Sequence, residues 1–210
     1  RALYAQTNFA LANAIAATKS DLADQDRQNI SILIQQAIRE AKAAVAINPQ
    51  SAPNWENLAL IYRRLINFAQ GADQWTIAAY QQAIVLNPLN PNLRISLGGI
   101  YYGLQNWDEA IKFLEQAVAL KPNFANGHYN LAAAYREKGN FEKAVVELEN
   151  TLSLVPKDSE DYQKAQSELE AMKKRLAEKP SASPAGGSES LAPPEPLPTG
   201  IKPPLSLPTG

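Results

Sequence analysis

Residues 88–121 read PLNPNLRISLGGIYYGLQNWDEAIKFLEQAVALK, and residues 122–155 read PNFANGHYNLAAAYREKGNFEKAVVELENTLSLV. The two stretches have the same length, and both begin with proline. They also carry a leucine, a small residue and a tyrosine at equivalent positions. These matching residues are Leu97, Gly98 and Tyr101 in the first stretch and Leu131, Ala132 and Tyr135 in the second. Such spacing places each set on one stripe of a helix. The two stretches therefore predict an internal helical repeat.

Prolines mark the repeat along the chain. They stand at Pro49, Pro88, Pro122 and Pro156, at spacings of 39, 34 and 34 residues, and each follows an apolar phrase such as residues 83–87, AIVLN. Proline cannot continue a helix, because it has no backbone N–H and its ring clashes with the preceding turn. Each proline therefore predicts the end of a helix.

Every repeat divides into two predicted helices. The first-helix pattern also follows Pro49, as Trp55-x2-Leu58-Ala59-x2-Tyr62. The second helices share a further pattern, which reads Thr76-x3-Tyr80-x2-Ala83, Ala110-x3-Leu114-x2-Ala117 and Ala144-x3-Leu148-x2-Thr151. Turn residues separate the two helices of each repeat, at Gln70-Gly71, Gln105-Asn106 and Gly139-Asn140. The small residues are predicted to lie where two antiparallel helices cross at short distance.

These residues resemble the tetratricopeptide repeat family, whose pattern is W-x2-L-G-x2-Y, then A-x3-F, then P, at a 34-residue period. The resemblance implies an all-α fold, a right-handed superhelical solenoid of antiparallel helix pairs. It also implies a protein-binding scaffold and not an enzyme, and we expect a bacterial protein.

The expected solenoid occupies residues 1–178. Residues 52–90, 91–124 and 125–158 are predicted as repeats, residues 1–51 as a degenerate repeat with a long helix from about Gln25 to Ile47, and residues 159–178 as a capping helix. Five extra residues between Tyr62 and Gly71 predict that the first helix of that repeat continues through Leu65 and Ile66.

Residues 179–210 differ in composition from the rest. Nine of the fifteen prolines fall there, and Leu197-Pro198-Thr199-Gly200 recurs as residues 207–210, LPTG. This stretch is predicted to be a disordered, extended Pro-rich tail. This tail is either a spacer or a peptide ligand that binds to the repeats of the same chain or of a neighbouring copy.

Composition argues against several functions. The net charge is −1, which lacks the basic field that nucleic acid binding needs. No apolar run reaches the 18 to 20 residues or so of a membrane helix, so no direct membrane insertion is expected. The chain has no cysteine and one histidine, His128. No cofactor, metal site or catalytic residue is therefore predicted, and His128 is interpreted as structural.

Compartment is left open by the sequence. The chain begins at Arg1 without a signal peptide pattern, so we expect a fragment or a processed product. A fragment and a processed product are each compatible with a soluble domain on the cytoplasmic or the extracytoplasmic face of a bacterial membrane.

The family resemblance implies a peptide-binding groove on the concave face, which the first helices line. Asparagine side chains suit an extended backbone because they both donate and accept, while the tyrosines and arginines could contact apolar side chains and carboxylates. The predicted groove residues are Asn57, Leu60, Arg63, Asn92, Ile95, Tyr102, Asn126, Tyr129, Asn130 and Arg136. Family members that bind chaperone tails use a clamp with lysines. Here Glu56 and Leu60 stand at clamp positions, which predicts against such tails.

Two alternatives remain. The same helix faces could simply be solvated surfaces of a stacking module. The array could also be a structural appendage that forms the soluble C-terminal part of a larger, membrane-embedded bacterial protein.

Overall fold

The computed structural model describes residues 1–18 and 23–178. Within these ranges the chain forms nine α-helices and no strand, which confirms the predicted all-α class. The helices are α1 (Ala2–Thr18), α2 (Asp24–Ile47), α3 (Ala52–Arg63), α4 (Ala72–Leu86), α5 (Pro91–Gly103), α6 (Trp107–Leu120), α7 (Ala125–Glu137), α8 (Phe141–Leu154) and α9 (Glu160–Glu178). The tail from residue 179 lies outside the described residues.

The helices pack as consecutive antiparallel pairs. α1 packs on α2, α3 on α4, α5 on α6 and α7 on α8, and each pair also contacts the next one along the chain. α9 packs on α8. Because each pair contacts its sequence neighbours, residues 1–178 form one compact unit with the layout of a solenoid.

Small residues let the two helices of a pair approach. Ala59, Gly98 and Ala132 are buried at the crossings with the second helices. A Cβ atom on Gly98 would lie 2.7 Å from Cγ of Leu114, so only glycine fits here without movement of that leucine. Leu114 is itself fully buried, which explains why the helices of this pair tolerate so little extra volume.

The turn before each first helix is held by a recurring hydrogen bond. The indole Nε1 of Trp55 donates to the carbonyl oxygen of Pro49 at 2.8 Å, and Nε2 of His128 lies 2.8 Å from that of Pro122. Arg94 donates to the carbonyl oxygen of Pro88 in the same way. Three different side chains therefore serve one structural purpose at equivalent positions, because each offers an N–H group at a similar reach.

Asparagine caps three of the helices. The side chain of Asn90 accepts from the backbone N–H of Asn92, and Asn106 and Asn140 likewise accept from the third helical residue of α6 and α8. These side chains satisfy N–H groups that have no partner inside a helix, which accounts for the turn signals seen in the sequence.

One boundary prediction was wrong. α3 ends at Arg63 and does not continue as an α-helix through Leu65 and Ile66. The N–H groups of Leu65 and Ile66 bond instead to the carbonyls three residues earlier, at 2.8 and 3.4 Å. The inserted residues form tighter turns because the chain must reverse by Gly71, where φ is 75°. The long helix predicted from Gln25 to Ile47 is found, and it begins one residue earlier, at Asp24.

Candidate functional site

The predicted groove residues all lie on α3, α5 and α7, the first helices of the last three pairs. We call this surface the first-helix face. Leu60, Arg63, Asn92 and Asn126 are exposed, and Leu60 has 43% of its surface accessible. Ile95, Tyr102, Tyr129, Asn130 and Arg136 are half-buried. Asn57 is the exception, because the fold leaves it only 5% exposed.

Two polar groups are buried beneath the α3 end of this face. Among the described residues, neither Nδ2 of Asn57 nor the hydroxyl of Tyr80 makes a hydrogen bond, although Ser96 and Arg63 lie close to that hydroxyl. Burial raises the pKa of Tyr80, and Ser96 and Arg63 offset part of that rise. In the sequence, the one indication that Tyr80 is unusual is that it occupies a position where the other two repeats have leucine.

The α3 and α5 end of the face is open and carries unpaired positive charge. Arg63 and Arg64 are exposed, and neither has a carboxylate partner in the part of the chain that the structure describes. Gly99 is exposed, and a Cβ atom there would meet no atom within 4 Å. A peptide backbone can therefore approach α5 closely at Gly99.

The α7 end is occupied by the protein's own side chains. The hydroxyl of Tyr129 donates to Oε1 of Glu168 on α9 at 2.6 Å, and a guanidinium nitrogen of Arg136 donates to Oε2 of the same residue at 3.1 Å. Arg136 also pairs with Glu137 at 2.9 Å. The ammonium of Lys164 lies 5.0 Å from the centre of the Tyr129 ring. Two predicted groove residues are thus engaged by the capping helix.

Tyr102 connects the two ends. Its ring lies edge-on to Trp107 with a centroid distance of 5.1 Å, and its hydroxyl is 3.5 Å from Oε1 of Glu137. The edge-to-face packing holds the ring in one orientation, so that it presents a defined apolar surface between the α5 and α7 ends.

Electrostatics keep the α7 end in one protonation state near neutral pH. Burial raises the pKa of the Tyr129 phenol, and the carboxylate of Glu168 raises it further. Burial alone would lower the pKa of Arg136, but Glu137 and Glu168 outweigh that effect and raise it. Tyr129 is therefore a hydrogen-bond donor here and Arg136 a permanent cation.

One crevice adjoins the α7 end of the first-helix face and another lies away from it. The first has a volume of about 120 Å³ and lies between α7, α8 and α9, and Asn126, Tyr129, Thr151 and Lys164 contribute to its lining. A more open one of about 460 Å³ lies between α1 and α2, beside the ion pair of Arg1 and Glu40. Asn130 donates to Asn126 at 3.4 Å, so these two predicted amides contact each other.

His128 has a structural position, as its sequence context predicted. It is 8% exposed, and its two ring nitrogens face the carbonyl of Pro122 and the carboxylate of Glu147. No cluster of three histidine, cysteine or acidic side chains is found in residues 1–18 and 23–178. None of the described helices combines the length and apolarity that crossing a membrane requires.

Known proteins share the repeat pattern of this chain. A family model described as tetratricopeptide repeat matches residues 67–125 and 105–169. No curated protein matches the chain.

Several solved structures have the same fold. The crystal structure of MamA is 19% identical, with a TM-score of 0.54 over 76% of this chain and 99% of that one. The first repeat domain of Spaghetti (RPAP3), bound to the HSP90 peptide SRMEEVD, is 24% identical, with a TM-score of 0.53 over 61% of this chain and 94% of that one. The repeat protein TTC0263 of Thermus thermophilus is 19% identical, with a TM-score of 0.52 over 80% of this chain and 98% of that one.

Proposed function

Because this chain belongs to the tetratricopeptide repeat family, we propose that its first-helix face binds an extended peptide segment of a partner protein, without catalysis. The observation that carries the proposal is the open α3 and α5 end of that face. There the exposed apolar side chain of Leu60 lies about one helical turn before Arg63 on α3, and Arg63 has no carboxylate partner among the described residues. On α5, the backbone at Gly99 is exposed and uncrowded. This combination suits a peptide with an apolar residue and a nearby carboxylate.

The similar RPAP3 structure shows that this fold can hold a peptide, but the residues of this chain favour a different sequence. Glu56 and Leu60 stand where lysine and asparagine would be needed to grip a terminal carboxylate of a chaperone tail. Arg63 lies seven residues beyond Glu56, about 10 Å along α3. We therefore propose an internal acidic side chain as the ligand group, at the Arg63 end of the helix.

The test uses a variant that changes only the open end. Random 12-residue peptides displayed on phage are selected on the 210-residue chain, and one enriched peptide is synthesised for fluorescence anisotropy. We expect Leu60→Ser with Arg63→Glu to weaken its binding at least ten-fold, because the apolar contact is lost and the charge reversed. Tyr129 and Arg136 are left unchanged because they already bind Glu168 on α9.

The matched control makes the same exchanges on other surfaces. Val146→Ser on α8 and Lys157→Glu after α8 alter one exposed apolar residue and one exposed cation. The control should bind like the unchanged chain. If no peptide is enriched, or if both double variants bind equally well, the groove proposal fails. The array would then be better explained as a structural appendage of a larger protein.

A second candidate ligand is the Pro-rich tail itself. Residues 191–200, LAPPEPLPTG, and 201–210, IKPPLSLPTG, agree at six of ten positions, but Glu195 in the first corresponds to Leu205 in the second. Only the first decapeptide therefore offers a side-chain carboxylate to Arg63. Synthetic peptides of both sequences, amidated at the C-terminus, provide the comparison. If the tail is a ligand, residues 191–200 should bind more tightly, and Arg63→Glu should remove the difference.

A further inference from the structure

Tyr129 and Arg136 bind one carboxylate together. They stand two helical turns apart on α7, and their side chains meet the two oxygens of Glu168 at 2.6 and 3.1 Å. A phenol and a guanidinium that each donate to a separate oxygen of one carboxylate are arranged as a carboxylate-binding site. The chain itself supplies the present occupant.

We infer that Tyr129 and Arg136 form a second ligand site on the first-helix face, and that an aspartate or glutamate side chain of a bound peptide replaces Glu168 there. This inference rests on the proposed function, since the incoming carboxylate belongs to the peptide partner. In the free chain Glu168 closes the site. When the peptide is bound, the Glu168 side chain turns to solvent.

The exchange needs no movement of α9. That helix is anchored by Ala165, Leu169 and Met172, which are buried against α7 and α8 as part of one apolar cluster. Glu168 lies beside this stripe, and its side chain is 25% exposed. A change of its rotamer therefore frees the two donors, while the apolar contacts of the capping helix stay in place.

The two donors favour a replacement carboxylate. Arg136 keeps its pairing with Glu137 when the Glu168 carboxylate leaves, and Asp161 remains near Lys164. The Tyr129 hydroxyl and one N–H group of Arg136, however, lose their acceptor at the same time. Another carboxylate accepts both bonds with its two oxygens, whereas a glutamine side chain offers only one oxygen.

The test empties the site and offers a minimal carboxylate. The probe is N-acetyl-glutamate α-amide, added to the 210-residue chain while the ¹⁵Nε–H signal of Arg136 is followed by NMR. Glu168→Ala should bind this probe at least five-fold more tightly than the unchanged chain, because the internal competitor is gone. N-acetyl-glutamine α-amide, which has no charge, should shift the signal in neither protein.

Glu170→Ala is the matched control. Glu170 is an exposed glutamate on the same helix, and among the described residues its side chain accepts one bond, from Gln166 at 3.4 Å. Its replacement by alanine therefore makes the same change in charge and helix propensity as Glu168→Ala. It should bind the probe like the unchanged chain. Adding Tyr129→Phe to Glu168→Ala should weaken binding again, which distinguishes the site from a general loosening of α9.

The inference is overturned if Glu168→Ala and Glu170→Ala bind the probe equally, if the neutral probe binds as well, or if Tyr129→Phe has no effect. These results are independent of peptide selection. If no peptide is enriched but Glu168→Ala binds the probe as expected, the groove proposal fails and the carboxylate site remains. If a peptide is enriched but Glu168→Ala does not bind the probe more tightly, the groove proposal stands and the carboxylate site is rejected.

Discussion

Nδ1 of His128 lies 2.6 Å from Oε2 of Glu147, and this contact joins α7 to α8. Two acceptors cannot approach so closely, so a proton lies between them. Nε2 of the same ring must donate to the carbonyl oxygen of Pro122, because that oxygen can only accept. The single histidine of the chain therefore links α7, α8 and the turn that precedes α7.

We expect His128→Ala to lower the free energy of unfolding by about 1–3 kcal/mol, because it leaves the carbonyl of Pro122 and the half-buried carboxylate of Glu147 without their donor. His128→Trp should cost less, since the indole can donate to Pro122 as Trp55 does to Pro49. Urea denaturation followed by circular dichroism measures both. Equal costs, or an alanine variant as stable as the unchanged chain, would contradict this account.

Stability should fall at alkaline pH. Burial is the main cause that raises the pKa of Tyr80, Tyr101, Tyr129 and Tyr135, and for Tyr135 the carboxylate of Glu115 adds to it. Each phenol is thus harder to ionise in the folded chain than in the unfolded one. The stabilisation they provide is complete below the unfolded pKa of about 10 and is lost as the pH rises through the folded values.

Urea denaturation at pH 8, 9, 10 and 11 should therefore give equal stability at the first two values and a decline above pH 10. Tyr135→Phe removes one of the four phenols, so its decline should be shallower. A stability that does not change between pH 8 and pH 11 would be inconsistent with these shifts.

Adjacent glycines in α5 should respond in opposite directions to alanine. Gly98→Ala puts a methyl group 2.7 Å from the buried Leu114, so we expect a loss of about 1–3 kcal/mol despite the better helix propensity. Gly99→Ala meets no atom within 4 Å and should gain up to about 1 kcal/mol. Thermal and urea denaturation of the two variants provide the comparison. Destabilisation by both would mean that the backbone, not Leu114, sets the requirement for glycine.

Two buried tyrosines should tolerate phenylalanine differently. The hydroxyl of Tyr135 donates to Glu115 and receives a bond from Lys143, so Tyr135→Phe should cost about 1–2 kcal/mol. The hydroxyl of Tyr80 has no hydrogen-bond partner among the described residues, so Tyr80→Phe should change stability by less than about 0.5 kcal/mol. A large loss for Tyr80→Phe would reveal a hydrogen bond to Ser96 or Arg63 in solution.

The fold could be predicted because its signals are local and repeated. Pro88 and Pro122 end helices through their own chemistry, and Gly98 or Ala132 recurs wherever two helices cross. The end of α3 could not be predicted in the same way. Leu65 has the apolar character of a helix core residue and is buried, but the turns that bury it depend on where the chain must meet Gly71.

The sequence by itself determined the helix pairs, their order and the face on which the candidate binding residues lie, because 34-residue periodicity reports which side of each helix is apolar. Only the tertiary structure decided which of those residues are free to bind. Asn57 is buried, Arg63 is unpaired among the described residues, and Tyr129 and Arg136 already bind Glu168. Such pairings join residues more than thirty positions apart, and no local pattern encodes whether a distant carboxylate reaches a given cation.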